Sequence, residues 1–214
     1  MFCHDSVPAQ VCLRARRKTA PNDAGFSLVE IMATSLVLAT LAGLVIMVVG
    51  NIAGHYRISG DARGVSNSVA VAKLRAASLF TQTRLYVTLS TGVYSIQTYQ
   101  KTGTPGWVSE GGTVPLSPGV SFGYSAVGTP PPNTQATIAQ AAPCKDDAGV
   151  ALAGTACILF NSRGLPVDAT GAPTGIGAFY LTDNQSVYAV TVSATGMLRF
   201  WRTVNSGSPS WALQ

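Results

Sequence analysis

The stretch Gly25-Phe26-Ser27-Leu28-Val29-Glu30, followed by Ile31-Met32-Ala33-Thr34-Ser35-Leu36-Val37-Leu38, decides how the rest of the chain is read. A polar leader carrying Arg14, Arg16, Arg17 and Lys18 ends at Gly25, and an apolar segment opens at Phe26. Glu30 is the one carboxylate inside it, and no charged residue follows from Ile31 to Gly54. A charge in an apolar span costs roughly 2.5–3.5 kcal/mol on insertion scales, so a carboxylate kept there points to function. The uncharged run is about 24 residues. That exceeds the 7–15 of a secretory signal core and suits a bilayer span. A plain signal anchor with an incidental glutamate remains the bland alternative.

This arrangement resembles the N-terminus of type IV pilins and of the pseudopilins of type II secretion. The resemblance implies cleavage after Gly25 by a membrane-embedded prepilin peptidase and methylation of the new terminal Phe26. It also implies pairing of Glu30 with the terminal amine of a neighbouring subunit. A helix-kinking proline common in that family is missing, with no proline between Pro21 and Pro105; Gly43, Gly50 and Gly54 stand in the apolar half instead. The implied domains are a cleaved leader (1–25), a transmembrane half-helix (26–54), an amphipathic half-helix (55–82) and an exported β-rich domain (83–214) with a loop insertion near 128–156.

Composition fits such a plan. The 214 residues leave room for an anchor and one domain. Hydrophobic residues make up 47% and charged residues only 11%, well below the roughly 25% charged of soluble domains. Net charge is +5, too mild after loss of the basic leader to call for nucleic acid. The basic cluster before the span places the N-terminus in the cytoplasm and the C-terminal domain in the periplasm. Cys3 and Cys12 fall in the leader, leaving Cys144 and Cys157 in the exported part. An even pair in an oxidising compartment reads as a disulfide, closing a loop worth on the order of 3 kcal/mol. A metal site is the alternative, with His55 as the one further soft ligand in the mature chain.

Beyond Gly54 the pattern becomes amphipathic. Val65, Val69, Ala72, Ala76 and Leu79 recur at helical spacing, so one helix is expected from near Phe26 to near Phe80, frayed or bent around Gly50 to Gly64. Its second half needs a sheet to cover the stripe. Strands are expected at Leu85–Leu89, Val93–Tyr99, Trp107–Val108, Val120–Tyr124, Ala156–Asn161, Ala178–Leu181, Val187–Val192 and Met197–Val204, separated by Gly, Pro, Ser and Asn turns. Gly128 to Ala142 is a Pro- and Ala-rich loop of the length that is usually functional or mobile. The expected class is α+β: a long N-terminal helix packed on a small antiparallel domain of two sheets. Ile158-Leu159-Phe160-Asn161-Ser162-Arg163-Gly164 and Thr195-Gly196-Met197-Leu198-Arg199 are similar to the H-type pseudopilins and their pilus counterparts, the GspH/FimT group of minor pilins.

No catalytic constellation stands out. His55 reads as an interfacial polar residue, Asp146-Asp147 as a solvated loop with weak calcium binding as its rival, and Asn184-Gln185-Ser186 as a turn. No nucleotide or dinucleotide glycine motif is present. The expectation is therefore no enzyme, no cofactor and no metal. Some of the minor-pilin group bind DNA through a basic motif that Gly196 to Arg199 matches in part, with Met197 replacing its first arginine. Arg199 and Arg202, with Phe200 and Trp201 between them, are the candidate contacts. Strand geometry would send the two arginines to opposite faces.

The resemblance implies a structural subunit that enters or primes a type IV pilus or a type II secretion pseudopilus. Its alternative is a DNA-binding minor pilin of an uptake pilus. The implied partners are other pilin or pseudopilin subunits, the prepilin peptidase, the inner-membrane assembly platform and membrane lipid.

Overall fold

A computed structural model describes residues 25–168 and 170–214, with backbone alone for residues 44 and 46–52. The leader expected over 1–25 thus lies, apart from Gly25, outside the described residues. Helix α1 spans Leu28–Ser78. The chain divides inside it into two compact units, at Val45 and Ile46.

In the first unit the helix starts where the carbonyl of Ser27 accepts the amides of Glu30 and Ile31 (3.0 and 3.1 Å). Every side chain described there is exposed, including Leu28, Val29, Ile31, Met32, Leu36, Val37, Leu38 and Leu41. Among the described residues no helix is long and apolar enough to cross a membrane. The expected span reaches into residues 44 and 46–52, whose side chains lie outside the description.

The second unit is an α+β domain with two antiparallel sheets. Sheet A holds β1 (Thr83–Thr88), β2 (Val93–Gln100), β3 (Gly106–Pro115), β5 (Thr155–Phe160) and β6 (Pro166–Val167), in the order β3-β2-β1-β5-β6. Sheet B holds β4 (Ser121–Phe122), β7 (Gly177–Thr182), β8 (Ser186–Val192), β9 (Leu198–Val204) and β10 (Ala212–Leu213), in the order β10-β9-β8-β7-β4.

The C-terminal half of α1 buries Ile58, Ala62, Val65, Val69, Ala72 and Ala76 in one core with residues of both sheets. Leu85, Val87, Ile158 and Phe160 come from sheet A, and Phe179, Leu181, Tyr188, Val190 and Val192 from sheet B. The stripe begins two turns earlier than the sequence suggested and stops short of Leu79, which is exposed because the helix has ended at Ser78. The helical assignment runs unbroken through Gly50 to Gly64. A Cβ on Gly64 would lie 3.0 Å from the Tyr94 hydroxyl, so this glycine lets β2 approach the helix rather than loosening it.

One strand is longer than the sequence suggested, and two were not expected from it. β3 runs through Gly111-Gly112, where two extra residues bulge against Tyr94 and Ile96 and Gly111 takes a φ of +73°. β6 and β10 are two-residue edge strands that no periodicity can announce. A second apolar cluster covers the outer face of sheet B: Ala178, Tyr180, Val187, Ala189 and Trp201 pack with Val127 and with partly buried Tyr124, Ile138 and Trp211. β8 is consequently buried at all its positions.

Candidate functional sites

Phe26 and Glu30, which the sequence pattern singles out for processing and assembly, lie close together at the start of α1. Phe26 is 78% exposed one residue before the N-cap, and Glu30 lies exposed in the first helical turn. A carboxylate there complements the helix dipole. Thr34 donates its hydroxyl to the Glu30 backbone carbonyl (2.9 Å), a back-bond within the first turns of the helix. The exposed side chains around them are mostly apolar, with Ser27, Thr34 and Ser35 among them.

The two stretches that resemble the minor pilins meet in space, although they are far apart in sequence. Asn161 Oδ1 accepts the amides of Arg163 (2.9 Å) and Leu165 (3.1 Å), which folds Asn161 to Gly164 into a tight turn after β5. Gly196 closes the turn between β8 and β9 by donating to the Ser193 carbonyl (2.8 Å). Lys73, on α1, donates its ammonium to the Gly196 carbonyl at 2.8 Å. Gly164 and Gly196 both have positive φ, and a Cβ on Gly196 would lie 3.0 Å from the Gly164 carbonyl oxygen. Both positions therefore require glycine, one for conformation and crowding by Lys73, the other for the close approach of two backbones.

Other sequence candidates are dispersed. Arg199 is exposed opposite Thr191 on β8, while half-buried Arg202 lies opposite Tyr188 with its guanidinium 5.9 Å from that ring. Strand alternation puts them on opposite faces of sheet B, so this strand does not join them into one contact surface. His55 is half-buried, its ring 6.4 Å from Tyr188. Asp146 Oδ1 accepts the Val150 amide (2.7 Å), and Asp147 Oδ1 accepts the Trp107 amide (2.8 Å). Among the described residues no cluster of His, Cys, Asp and Glu could hold a metal. Asn184 sits in the β7–β8 turn with a φ of +66°.

Cys144 and Cys157 form a disulfide with a Cα–Cα distance of 5.0 Å. It staples the long loop to β5. Upstream of the staple, Gln140 bonds both backbone groups of Tyr180 (Nε2 to O 2.8 Å, N to Oε1 3.0 Å), and Ala141 donates to Ala178. The Cys157 amide donates to Ala142 (2.8 Å). The loop thus bridges the edges of the two sheets. Tyr180 gives its hydroxyl proton to Gln135 Oε1 (2.7 Å); burial, with Tyr124 nearby, pushes its pKa up.

Between this strap and the segment after β6 lies a groove of about 710 Å³ over the outer face of sheet A. Arg84 on β1 lines it and is only 5% exposed. Its guanidinium lies 3.9 Å over the Trp107 ring, its Nε donates to Gln97 Oε1 (2.8 Å) and its Nη1 to the Lys145 carbonyl. Burial lowers its pKa to about 10, with Tyr86 and Asp147 pulling the other way. Sequence reasoning passed over this residue. The available signal was an arginine alternating with Thr83, Leu85 and Val87 in a strand of otherwise buried character.

No family model and no curated protein matches the chain. Two solved structures of the minor pseudopilin EpsH from the type 2 secretion system of Vibrio cholerae are similar to it. One is 14% identical over 72% of this chain and 95% of that one, with a TM-score of 0.41. The other is 11% identical over 74% and 96%, with a TM-score of 0.34.

Proposed function

We propose that this chain is a structural, non-enzymatic minor pilin or pseudopilin. The observation that carries the reading is Gly25-Phe26 with Glu30 at the head of a helix whose described N-terminal side chains are all exposed and mostly apolar. Such a surface suits a bilayer first and a bundle of like helices afterwards. The leader is removed after Gly25 and Phe26 is methylated. The protein waits in the bacterial inner membrane with its N-terminus cytoplasmic and its β-domain periplasmic. It then joins a type IV pilus or a type II secretion pseudopilus through the assembly platform. Glu30 meets the terminal ammonium of a neighbouring subunit and sets the axial register.

Intact mass of membrane-derived protein should correspond to a chain beginning at N-methylated Phe26. A chain still carrying Arg14 to Gly25, in cells with active prepilin peptidase, would refute the assignment. Glu30→Ala and Glu30→Gln should both leave cleavage intact and deplete the protein in sheared filaments relative to membranes, because breaking one side of a buried pair costs about 3–5 kcal/mol. Unchanged ratios for both would mean that Glu30 does not guide assembly.

A further inference from the structure

The outer edges of the two sheets are not alike. β4, β6 and β10 are edge strands of two residues each. Neighbouring chain closes the ladders that these short strands leave open. Ala141 donates to the Ala178 carbonyl beyond β4, Thr174 to the Pro166 carbonyl on β6, and Gln214 to the Phe200 carbonyl beside β10. The remaining edge, β3, runs for 10 residues. It is exposed over most of that length, Val108 by 47% and Val114 by 45%. Its one charged side chain, Glu110, is held by Arg75 (3.2 Å) and by the Thr98 hydroxyl (2.7 Å). Proteins ordinarily blunt a long edge with lysine, proline or a short strand. β3 carries no lysine, its proline is its last residue, and its bulge lies beyond Glu110.

The backbone of β3 shows where this edge is open. The Trp107 amide donates to Asp147 Oδ1 (2.8 Å) and so points away from β2. Residues of an antiparallel pair alternate between bonding the partner strand and facing away from it. Ser109, two positions on, therefore also turns its amide and carbonyl outward, and among the described residues its main chain makes no bond outside the sheet. Asp147 closes the edge at Trp107 and leaves it open from Ser109 onward.

We propose that β3 takes an extended, uncharged segment of a different pilin-like subunit as a further strand of sheet A. The open groups are main-chain donors and acceptors in strand register, and an extended polypeptide answers them where a nucleic acid, a sugar or a lipid does not. Val108 and Val114 share one face of β3 with Glu110, being paired with Thr98, Tyr94 and Ile96 of β2 respectively in the order Val108, Val114, Glu110. The incoming segment therefore presents apolar or β-branched side chains on that face. A second copy of this chain is a poor fit. Two-fold pairing of β3 with itself about Ser109 sets Trp107 of each copy against the Gly111 bulge of the other, and pairing about Glu110 sets two carboxylates opposite each other. Assigning the donor to a filament subunit rests on the assembly role proposed above; the addition of a strand does not.

The test uses the full-length protein in detergent micelles, with empty micelles as the blank, and fluorescent, doubly capped heptapeptides of alternating threonine and valine. One is unmodified, one is N-methylated at every second residue so that one edge keeps its donors, and one is N-methylated throughout. The first two should bind, and the third should bind about tenfold or more weakly because it offers the edge no N–H. Ser109→Pro removes the outward amide and leaves the bonds to β2 in place. It should weaken binding of the unmodified peptide about tenfold while the thermal midpoint stays at its wild-type value. The peptide series decides the matter on the wild-type protein even where this variant folds poorly. In cells Ser109→Pro should be cleaved to begin at Phe26 and yet be depleted from sheared filaments. Equal binding of all three peptides, no binding of any, or full binding by well-folded Ser109→Pro would overturn the proposal. Wild-type filament content for Ser109→Pro would overturn the assignment of the donor to another subunit. A homodimer in native mass spectrometry that Ser109→Pro dissolves would make the occupant a second copy, and would also overturn it. Glu30→Gln protein should bind the unmodified peptide as wild type does, so strand addition and the role of Glu30 in assembly can fail separately.

Discussion

Helix α1 carries two different kinds of surface. From Leu28 to Gly43 all described side chains are exposed, and Leu, Val, Ile and Met occur all round the axis. From Ile58 to Ala76 the buried residues recur every three or four positions, with Asp61, Arg63, Lys73 and Arg75 between them. The first pattern needs a medium that is apolar in every direction; the second needs one surface. The mean hydropathy of the helix cannot separate the two. Their periodicity can, and so can residue size: the domain-facing stripe alternates Ala62, Ala72 and Ala76 with Val65 and Val69, which lets the helix sit close to the sheets.

The largest effect that would test this contrast comes from placing the same charge in each half. Val65→Asp buries an unpaired carboxylate in the core and should destabilise the β-rich domain by about 3 kcal/mol or more. Val37→Asp should leave the domain's thermal midpoint unchanged and lower membrane integration instead. Equal losses of thermal stability in the two variants would dissolve the distinction.

A smaller effect is expected at Lys73. Lys73→Met keeps the apolar stem but leaves the Gly196 carbonyl without its donor, at a cost of about 1–3 kcal/mol. Urea unfolding should show a lower midpoint with an unchanged slope. A midpoint equal to wild type would mean that the lysine does not tie the turns to the helix.

The smallest effect lies away from both halves and supplies a baseline. The Thr170 hydroxyl, then its amide, then the amide of Ala172 hold the exposed Asp168 carboxyl below the ordinary carboxylate range. The folded state therefore binds this proton more weakly than the unfolded chain. Its contribution to stability is present above the unfolded pKa of about 3.9 and fades as pH falls through the folded value. Thr170→Ala should raise the Asp168 midpoint in carbonyl NMR titration, and an unchanged midpoint would mean that the Thr170 hydroxyl does not hold the carboxylate.

Much of the architecture was legible because its signals are local. Ser90-Thr91-Gly92 marks the turn between β1 and β2, and Ala194-Thr195-Gly196 that between β8 and β9. The strand expected at Trp107–Val108 extends in β3 through Gly111-Gly112, a glycine pair that here forms a bulge inside the strand. β6 and β10 are too short to show alternation. The Gly25 to Glu30 string is contiguous in the sequence. The groove is not: Arg84, Trp107, Asp147 and Ile176 come from four separated segments, and only the fold brings them to one face of sheet A. Arg199 and Arg202 show the converse, being close in sequence and divided by strand alternation.

The link from Lys73 to Gly196 spans 123 positions of the chain. Contacts of such range form late, because a large loop must close before they contribute. The ammonium that joins the helix to the turns of both sheets therefore finds its acceptor only after the chain has been made past β8. Truncations ending before Gly196 should leave the helix stripe and its lysine uncovered, and should be cleared as unfolded protein rather than persist as a shortened domain.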